Sequence, residues 1–186
     1  TVGVLHALHA FKRESVTREQ LIEEASRIEV DILEGASGYH DPSICALGGL
    51  RLIEYDANGV THRAITLSED FRKEFQDSLL FFYGGTHNKS KPSLDILNAE
   101  MERATETLQE MKHVAYEMEQ AFKEQKLREV GRLIQAQQDL KQLLPGKFED
   151  EYVKDVVSRV QQHGAYCQLP GGKIGVYTGL LKVTEN

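Results

Sequence analysis

The sequence of 186 residues contains only two cysteines, no tryptophan and no long hydrophobic run. Cys45 and Cys167 lie far apart and form no CxxC pair, which argues against a disulfide framework or a thiolate metal site, so we expect two buried free thiols. No apolar stretch approaches the roughly 20 residues of a membrane-spanning helix, and we expect no membrane partner. An initiator Met and a signal-peptide pattern are both missing, so we expect a cytoplasmic protein whose sequence begins inside a helix.

Basic residues are outnumbered, with 22 Lys and Arg against 29 Asp and Glu, for a formal net charge of −7. This balance argues against a nucleic-acid partner, because such proteins usually carry a basic face that displaces counterions from phosphates. The hydrophobic fraction is 40%, and the mean hydropathy is −0.42. These values are typical of a globular protein with one ordinary domain or two small lobes.

Helical spacing dominates the first third of the chain. In residues 2–12, apolar side chains recur at helical intervals and predict one buried stripe, formed by Val4, Leu5, Leu8 and Phe11. Thr17 followed by Gln20 is a capping-box pattern and predicts the start of a second helix, residues 17–34, ended by Gly35. Its predicted buried face consists of Leu21, Ile22, Ala25, Ile28 and Ile32.

Strand patterns follow. Residues 50–56 and 59–67 alternate in polarity and are joined by Ala57-Asn58-Gly59, which predicts a β-hairpin. Ser68 is expected to cap a short helix. The continuous apolar run at 78–83 predicts a buried strand.

Most of the remaining chain has a helical pattern. Residues 93–144 are rich in helix formers, with weak breaks near Lys126 and Gly131, and we expect packed helices. One more amphipathic helix should end at Gly164, before a glycine-laced, β-prone end. Together the elements predict an α+β fold, in which helices pack on antiparallel strands and a long C-terminal section is helical. The apolar positions of the long section are Leu94, Leu97, Met101, Ala104, Leu108, Met111, Ala115 and Met118.

Asp41 is the acid with the least ordinary surroundings, since it follows a bend at Gly38 and precedes a small apolar run. It could cap the short helix that Pro42 begins, or it could lie at the floor of a pocket and act chemically. Glu29 could likewise be a solvated helix residue, or it could bind a divalent metal beside Asp41. Spacing alone leaves both alternatives open.

Three segments resemble one enzyme family: GYHDPSICALGGLRLIEY at 38–55, LLFFYGGTHNKSKPSLDIL at 79–97 and GAYC at 164–167. Together with Glu29, they resemble the GHMP kinase superfamily, and within it the branch that phosphorylates heptose 7-phosphate and fucose. The resemblance implies a GHMP-kinase-like fold, with residues 1–66 from the N-terminal lobe and residues 67–186 as the C-terminal lobe. It also implies ATP and Mg²⁺ as cofactors and a small sugar or sugar phosphate as partner, and a homodimer is compatible with it.

The resemblance assigns roles to particular residues. It implies that Asp41 is the catalytic base or electrostatic anchor at the sugar hydroxyl, and that Glu29 lies near the magnesium ion. The other implied contacts are Gly38, Tyr39, His40, Thr86, His87, Lys89 and Ser90 with the substrate, and Gly171 and Gly172 with the nucleotide.

The sequence departs from the family pattern at one position expected to recognise an anion and at two segments expected to bind the nucleotide. The family commonly has Arg where His87 stands, and its glycine-rich phosphate loop would precede Thr1. Around Gly171 the glycine run is interrupted. A non-catalytic protein of the same fold, binding a sugar phosphate or a protein, is therefore an alternative, and a helical scaffold built on residues 93–144 is a third. The remaining histidines, including His6 and His9, are expected to have no special role.

Overall fold

The computed structural model describes residues 1–33, 38–83, 90–146, 151–168 and 176–180. Contacts between Cα atoms divide the chain into two compact units, residues 1–65 and residues 66–186. Each unit is an assembly of helices with a small antiparallel sheet. In the described part of the chain, no helix combines the length and apolarity needed to cross a bilayer.

The first unit begins with helix α1, Val2–Lys12, which has no buried residue. The predicted buried stripe is therefore wrong: Val4, Leu8 and Phe11 are exposed, Phe11 to 86%. Helix α1 packs against the next two helices of the unit, and Leu5 and His9 lie on a partly buried side instead. Helical periodicity located the helix correctly but could not show which side its neighbours cover.

Helix α2, Arg18–Ser26, begins as predicted with a capping box. The Thr17 hydroxyl accepts a hydrogen bond from the Gln20 backbone N–H at 3.1 Å, and the Gln20 side chain accepts one from the Thr17 N–H at 2.9 Å. Leu21, Ile22 and Ala25 are buried, as the pattern indicated.

A π-helical segment, Arg27–Ile32, continues α2 and changes the register of its side chains. The backbone N–H of Leu33 donates to the Ile28 carbonyl at 2.9 Å, a bond that spans five residues. The wider turn rotates later side chains away from the stripe that α-helical spacing predicts. Ile32 is consequently exposed, against expectation. The predicted end at Gly35 lies outside the described residues.

Helix α3, His40–Leu47, and a hairpin complete the first unit. Arg18 Nη1 on α2 donates to the Leu47 carbonyl at 3.0 Å, which joins α2 to the end of α3. Strands β1, Arg51–Asp56, and β2, Gly59–Ala64, pair antiparallel, with Asp56 opposite Gly59. The predicted hairpin is thus confirmed.

The second unit contains α4, Glu69–Ser78, and a three-stranded sheet. Ser68 caps α4 as predicted, since its hydroxyl accepts a hydrogen bond from the Phe71 N–H at 3.3 Å. Strand β3, Leu79–Tyr83, follows directly and is an edge strand of the sheet. Leu80 is exposed, so the expectation of a fully buried strand is wrong at this position.

Three helices form the long section: α5, Ser90–Ala99; α6, Met101–Lys123; and α7, Leu127–Leu143. The predicted break near Lys126 is confirmed, but α7 runs through Gly131, which is buried. Helices α6 and α7 pack together, and their apolar positions are mostly covered. This packing favours core helices over a helical scaffold that presents an apolar face.

Helix α8, Glu151–Gln162, ends two residues before Gly164, the glycine predicted to stop it, which has φ 78°. Strands β4, Tyr166–Gln168, and β5, Val176–Leu180, pair antiparallel, giving the sheet order β3-β5-β4. Cys167 is buried, as expected, and is not in a disulfide. Cys45 is a free thiol but is exposed, because its position on α3 faces away from the buried side formed by Ser43 and Leu47.

Candidate functional site

The candidate site is the first turn of α3, where the sequence brings a histidine and an acid together. Tyr39 is the N-cap residue of this helix and its side chain makes no capping hydrogen bond. Asp41 lies within the first turn, so it does not cap the helix as one interpretation of the sequence held. A carboxylate in the first turn interacts favourably with the positive end of the helix dipole.

The carboxylate of Asp41 is open to solvent, with 79% of its side chain exposed. His40 Nδ1 lies 3.1 Å from Asp41 Oδ1, within reach for the ring N–H to donate to the carboxylate, and the His40 side chain is 72% exposed. Among the residues that the structure describes, Asp41 therefore neither caps the helix nor lies at the floor of an enclosed pocket. It shows an accessible His40–Asp41 pair at a helix start.

Ser43, on the buried side of α3, makes two hydrogen bonds within this turn. Its side chain is fully buried, and its hydroxyl donates to the Tyr39 carbonyl at 2.5 Å. The Ser43 backbone N–H donates to the same carbonyl at 3.1 Å. These two bonds hold the backbone on either side of His40 and Asp41, so the exposed pair sits on a fixed turn.

Tyr55 on β1 is a neighbour of this turn that sequence reasoning did not single out. Burial raises the pKa of its phenol, an effect opposed by a hydrogen bond with Ser43 and reinforced by the negative charge of Asp41. The side chain of Tyr55 is nevertheless partly exposed. No short-range pattern relates position 55 to position 41, because the relation arises only when the hairpin folds beside α3.

Glu29, the residue implied to lie near a metal, occupies the first turn of the π-helical segment and is partly buried. π-Helical turns are rare and often occur at functional sites. Within the described ranges, no group of three or more His, Cys, Asp or Glu side chains could hold a metal ion. A protein Mg²⁺ site often uses only one or two carboxylates, with phosphate oxygens and water supplying the rest. The role of Glu29 stays a prediction.

The other predicted contacts mostly fall outside the described residues. This applies to Thr86, His87, Lys89, Gly171 and Gly172. Ser90 begins α5, and Gly38 precedes the first turn of α3, next to the exposed Tyr39. The structure thus brings together Gly38, Tyr39, His40 and Asp41, which are also adjacent in sequence.

The solved structures with a fold similar to this chain include two kinases. A D-glycero-D-manno-heptose 1-phosphate kinase from Bacteriodes thetaiotaomicron has a TM-score of 0.70 and 16% identity, over 97% of this chain and 50% of that chain. A mevalonate kinase from L. major, in complex with R-mevalonate, has a TM-score of 0.72 and 17% identity, over 96% of this chain and 54% of that chain. No protein-family model matches the sequence, and no curated protein matches it significantly.

The two matches establish the fold class. The chain has an α+β fold similar to that of these two kinases, and it spans about half the length of each. At these identities the likeness concerns the fold, and function has to be argued from the site.

Proposed function

We propose that the protein is a small-molecule kinase that transfers the γ-phosphoryl group of ATP to a hydroxyl of a sugar or sugar phosphate. The preferred acceptor class is a heptose phosphate, in line with the heptose 7-phosphate branch that the sequence resembles. In this proposal residues 1–66 complete an N-terminal lobe, residues 67–186 form the C-terminal lobe, and the reaction takes place in the cytoplasm.

The observation that carries the proposal is the match of nearly the whole chain to two kinases of small molecules, one of which acts on a heptose phosphate. The geometry of Asp41 is compatible with this role, but its exposure alone does not favour a kinase. Its carboxylate is accessible, carries a hydrogen bond from His40 and stands on a turn fixed by the buried Ser43. An acceptor hydroxyl can therefore reach it without displacing any other part of the first unit.

The reaction follows from the chemistry of phosphoryl transfer. Asp41 accepts the proton of the acceptor hydroxyl, the hydroxyl oxygen bonds to the γ-phosphorus, and the bond from that phosphorus to the β,γ-bridging oxygen breaks to release ADP. Catalysis of this step rests mainly on positioning and charge stabilisation. Tyr39 and His40 border Asp41 and are suited to hydrogen-bond the neighbouring hydroxyls of a sugar.

Mg²⁺ supplies charge neutralisation of the phosphates when it is bound. Glu29 is the residue proposed to hold it, since a carboxylate is the hard oxygen ligand that Mg²⁺ prefers. Thr86, His87, Lys89 and Ser90 are proposed to contact the substrate, and Gly171 and Gly172 the nucleotide, on the basis of the sequence resemblance.

The test is ADP release by the full-length gene product with ATP and Mg²⁺. The acceptors are heptose 7-phosphate, heptose 1-phosphate, fucose and, as a chemically distinct control, mevalonate. We expect release that depends on a sugar or sugar phosphate and is absent with mevalonate. ADP release that is the same with and without every acceptor would refute the proposal.

A second candidate is a non-catalytic protein of the same fold that binds a sugar phosphate or a protein partner. The observation that favours it is the openness of Asp41, since active-site carboxylates commonly lie in concave, water-excluding sites. Calorimetric titration separates the two candidates. A kinase binds both sugar phosphate and ATP, whereas binding of the sugar phosphate without ATP indicates the second candidate.

A further inference from the structure

A charged cluster outside the candidate site joins α1 to α2. His9 Nδ1 lies 2.9 Å from Glu14 Oε2, and His9 Nε2 lies 2.9 Å from Glu24 Oε2. The His9 side chain is 19% exposed, so the ring lies mostly between its neighbours. We call these three residues the His9 clasp. Lys12 Nζ adds a contact of 2.8 Å to Glu14 Oε1.

The backbone after α1 brings Glu14 to the ring. Arg13 adopts a left-handed conformation, with φ 60° and ψ 32°, and ends the helix. The Glu14 N–H then donates to the His9 carbonyl at 2.9 Å. This closing turn folds Glu14 back over the last turn of α1, whereas Glu24 reaches the ring from α2.

The geometry defines the protonation state that satisfies the clasp. An ionised carboxylate only accepts hydrogen bonds, so a ring with a carboxylate at each nitrogen needs a proton on both. A neutral imidazole has one unprotonated nitrogen, whose lone pair would face a carboxylate oxygen. With the ring protonated, His9 and Lys12 balance Glu14 and Glu24. Without that proton the four groups carry a net negative charge.

We propose that the His9 clasp is a pH-dependent contact between two helices. The protonated ring of His9 holds the end of α1 on α2, and loss of a ring proton releases the end of α1. No residue of helix α1 is fully buried, and among its apolar side chains only Val2 and Leu5 are partly buried, so the clasp is a substantial part of what holds the helix end. Helix α1 also packs against α3, and its release therefore removes a support of the helix that carries Asp41. The inference does not depend on the proposed reaction.

The surrounding charges agree with this assignment. The hydrogen bond with Glu24 is the leading cause that raises the pKa of His9 above its ordinary value of 6.5, and Glu14 raises it further, against an opposing effect of burial. Lys12 and then His9 lower the pKa of Glu14 from its ordinary 4.5. On α3 the titratable side chains are His40, Asp41 and Cys45, and none of them is among the groups that shift the pKa of His9.

The sign of the pH dependence follows. The contribution of a group whose folded-state pKa is raised is complete below its unfolded pKa and is lost as pH rises through the folded value. Glu14 shows the opposite behaviour, and its contribution is lost as pH falls through its lowered pKa. The clasp is therefore complete between the ordinary glutamate value of 4.5 and the ordinary histidine value of 6.5, and it opens above the raised pKa of His9.

The first test is an NMR titration of the ring nitrogens in the folded protein, with the signals of His9 assigned from their loss in His9→Gln. We expect both ring nitrogens to stay protonated to a higher pH than in the urea-unfolded protein. Glu24→Gln should lower the titration midpoint of His9. Glu23→Gln, an exposed neighbour on α2, is the matched control and should leave it unchanged. A midpoint equal to that of the unfolded protein would overturn the inference.

The second test measures amide hydrogen exchange in α1, corrected for the intrinsic pH dependence of exchange. In the parent, protection near the end of α1 should be lost as pH rises through the titration midpoint of His9. In His9→Gln, protection near the end of α1 should be low both below and above that midpoint. His6→Gln, at an exposed position on the same helix, should behave like the parent. If protection in the parent does not change across the titration of His9, the contact between α1 and α2 does not depend on the ring proton, and the inference is wrong.

Discussion

Arg13 and Gln125 occupy the left-handed backbone region that glycine usually fills, with φ 60° and φ 56°. Each lies just after a long helix, where a backbone N–H turns back to satisfy carbonyls of the last turn. A side chain in this region costs about 1–2 kcal/mol, because its Cβ approaches the following carbonyl oxygen. At these two helix ends, local backbone strain accompanies the hydrogen bonds that satisfy the last carbonyls of the helix.

Replacement of Arg13 by glycine should stabilise the first unit. Relief of the left-handed strain outweighs the extra flexibility of glycine in the unfolded chain, for a net gain of roughly 0.5–1 kcal/mol in the free energy of unfolding. The measurement is urea unfolding monitored on the first unit. Arg27→Gly is the matched control, because Arg27 has φ −58° and glycine there should destabilise by about 1 kcal/mol. Equal effects of the two changes would contradict the account.

At the scale of elements, packing between helices stabilises the second unit. Leu133 on α7 is 0% exposed, whereas Leu143 at the end of the same helix is 69% exposed. Leu133→Ala should therefore lower the free energy of unfolding of this unit by about 2–5 kcal/mol, through lost burial and the cavity left behind. Leu143→Ala, the matched control, should change it by less than about 0.5 kcal/mol. Similar losses at both positions, in denaturant unfolding, would show that α7 packs differently.

Elements specified by local chemistry could be predicted from the sequence. Thr17 with Gln20, Ser68 and Gly164 each place a helix boundary, because one side chain or one positive φ satisfies nearby backbone groups. The hairpin at Asn58-Gly59 belongs to the same category. Features that depend on distant neighbours could not be predicted, as the exposed stripe of α1 shows.

The candidate site likewise has features that could be predicted from the sequence and features that depend on tertiary structure. Asp41 and His40 were identified because they are adjacent in a distinctive segment, but their exposure depends on tertiary structure. Tyr55 was missed since only the folded hairpin relates it to Asp41. His9 was expected to have no special role, because its two carboxylate partners lie 5 and 15 residues away and form no recognisable spacing.

At the scale of the whole molecule, the chain consists of two compact units and matches about half the length of two solved kinases. The candidate acid lies in the first unit, at the start of a helix with a buried serine beneath its first turn. The proposed kinase uses the fold as a support for this turn. Its chemical basis is one carboxylate, so a single substitution can test it.

The most direct measurement is the rate of ADP release with a heptose phosphate by full-length parent, Asp41→Asn and Asp70→Asn. Asp70 is the matched control, since it is an exposed acid in the first turn of α4. The account predicts that Asp41→Asn lowers kcat by about 10²–10⁴-fold, the usual contribution of a positioned general base, and that Asp70→Asn retains the parent rate. An Asp41→Asn variant as fast as the parent would contradict it.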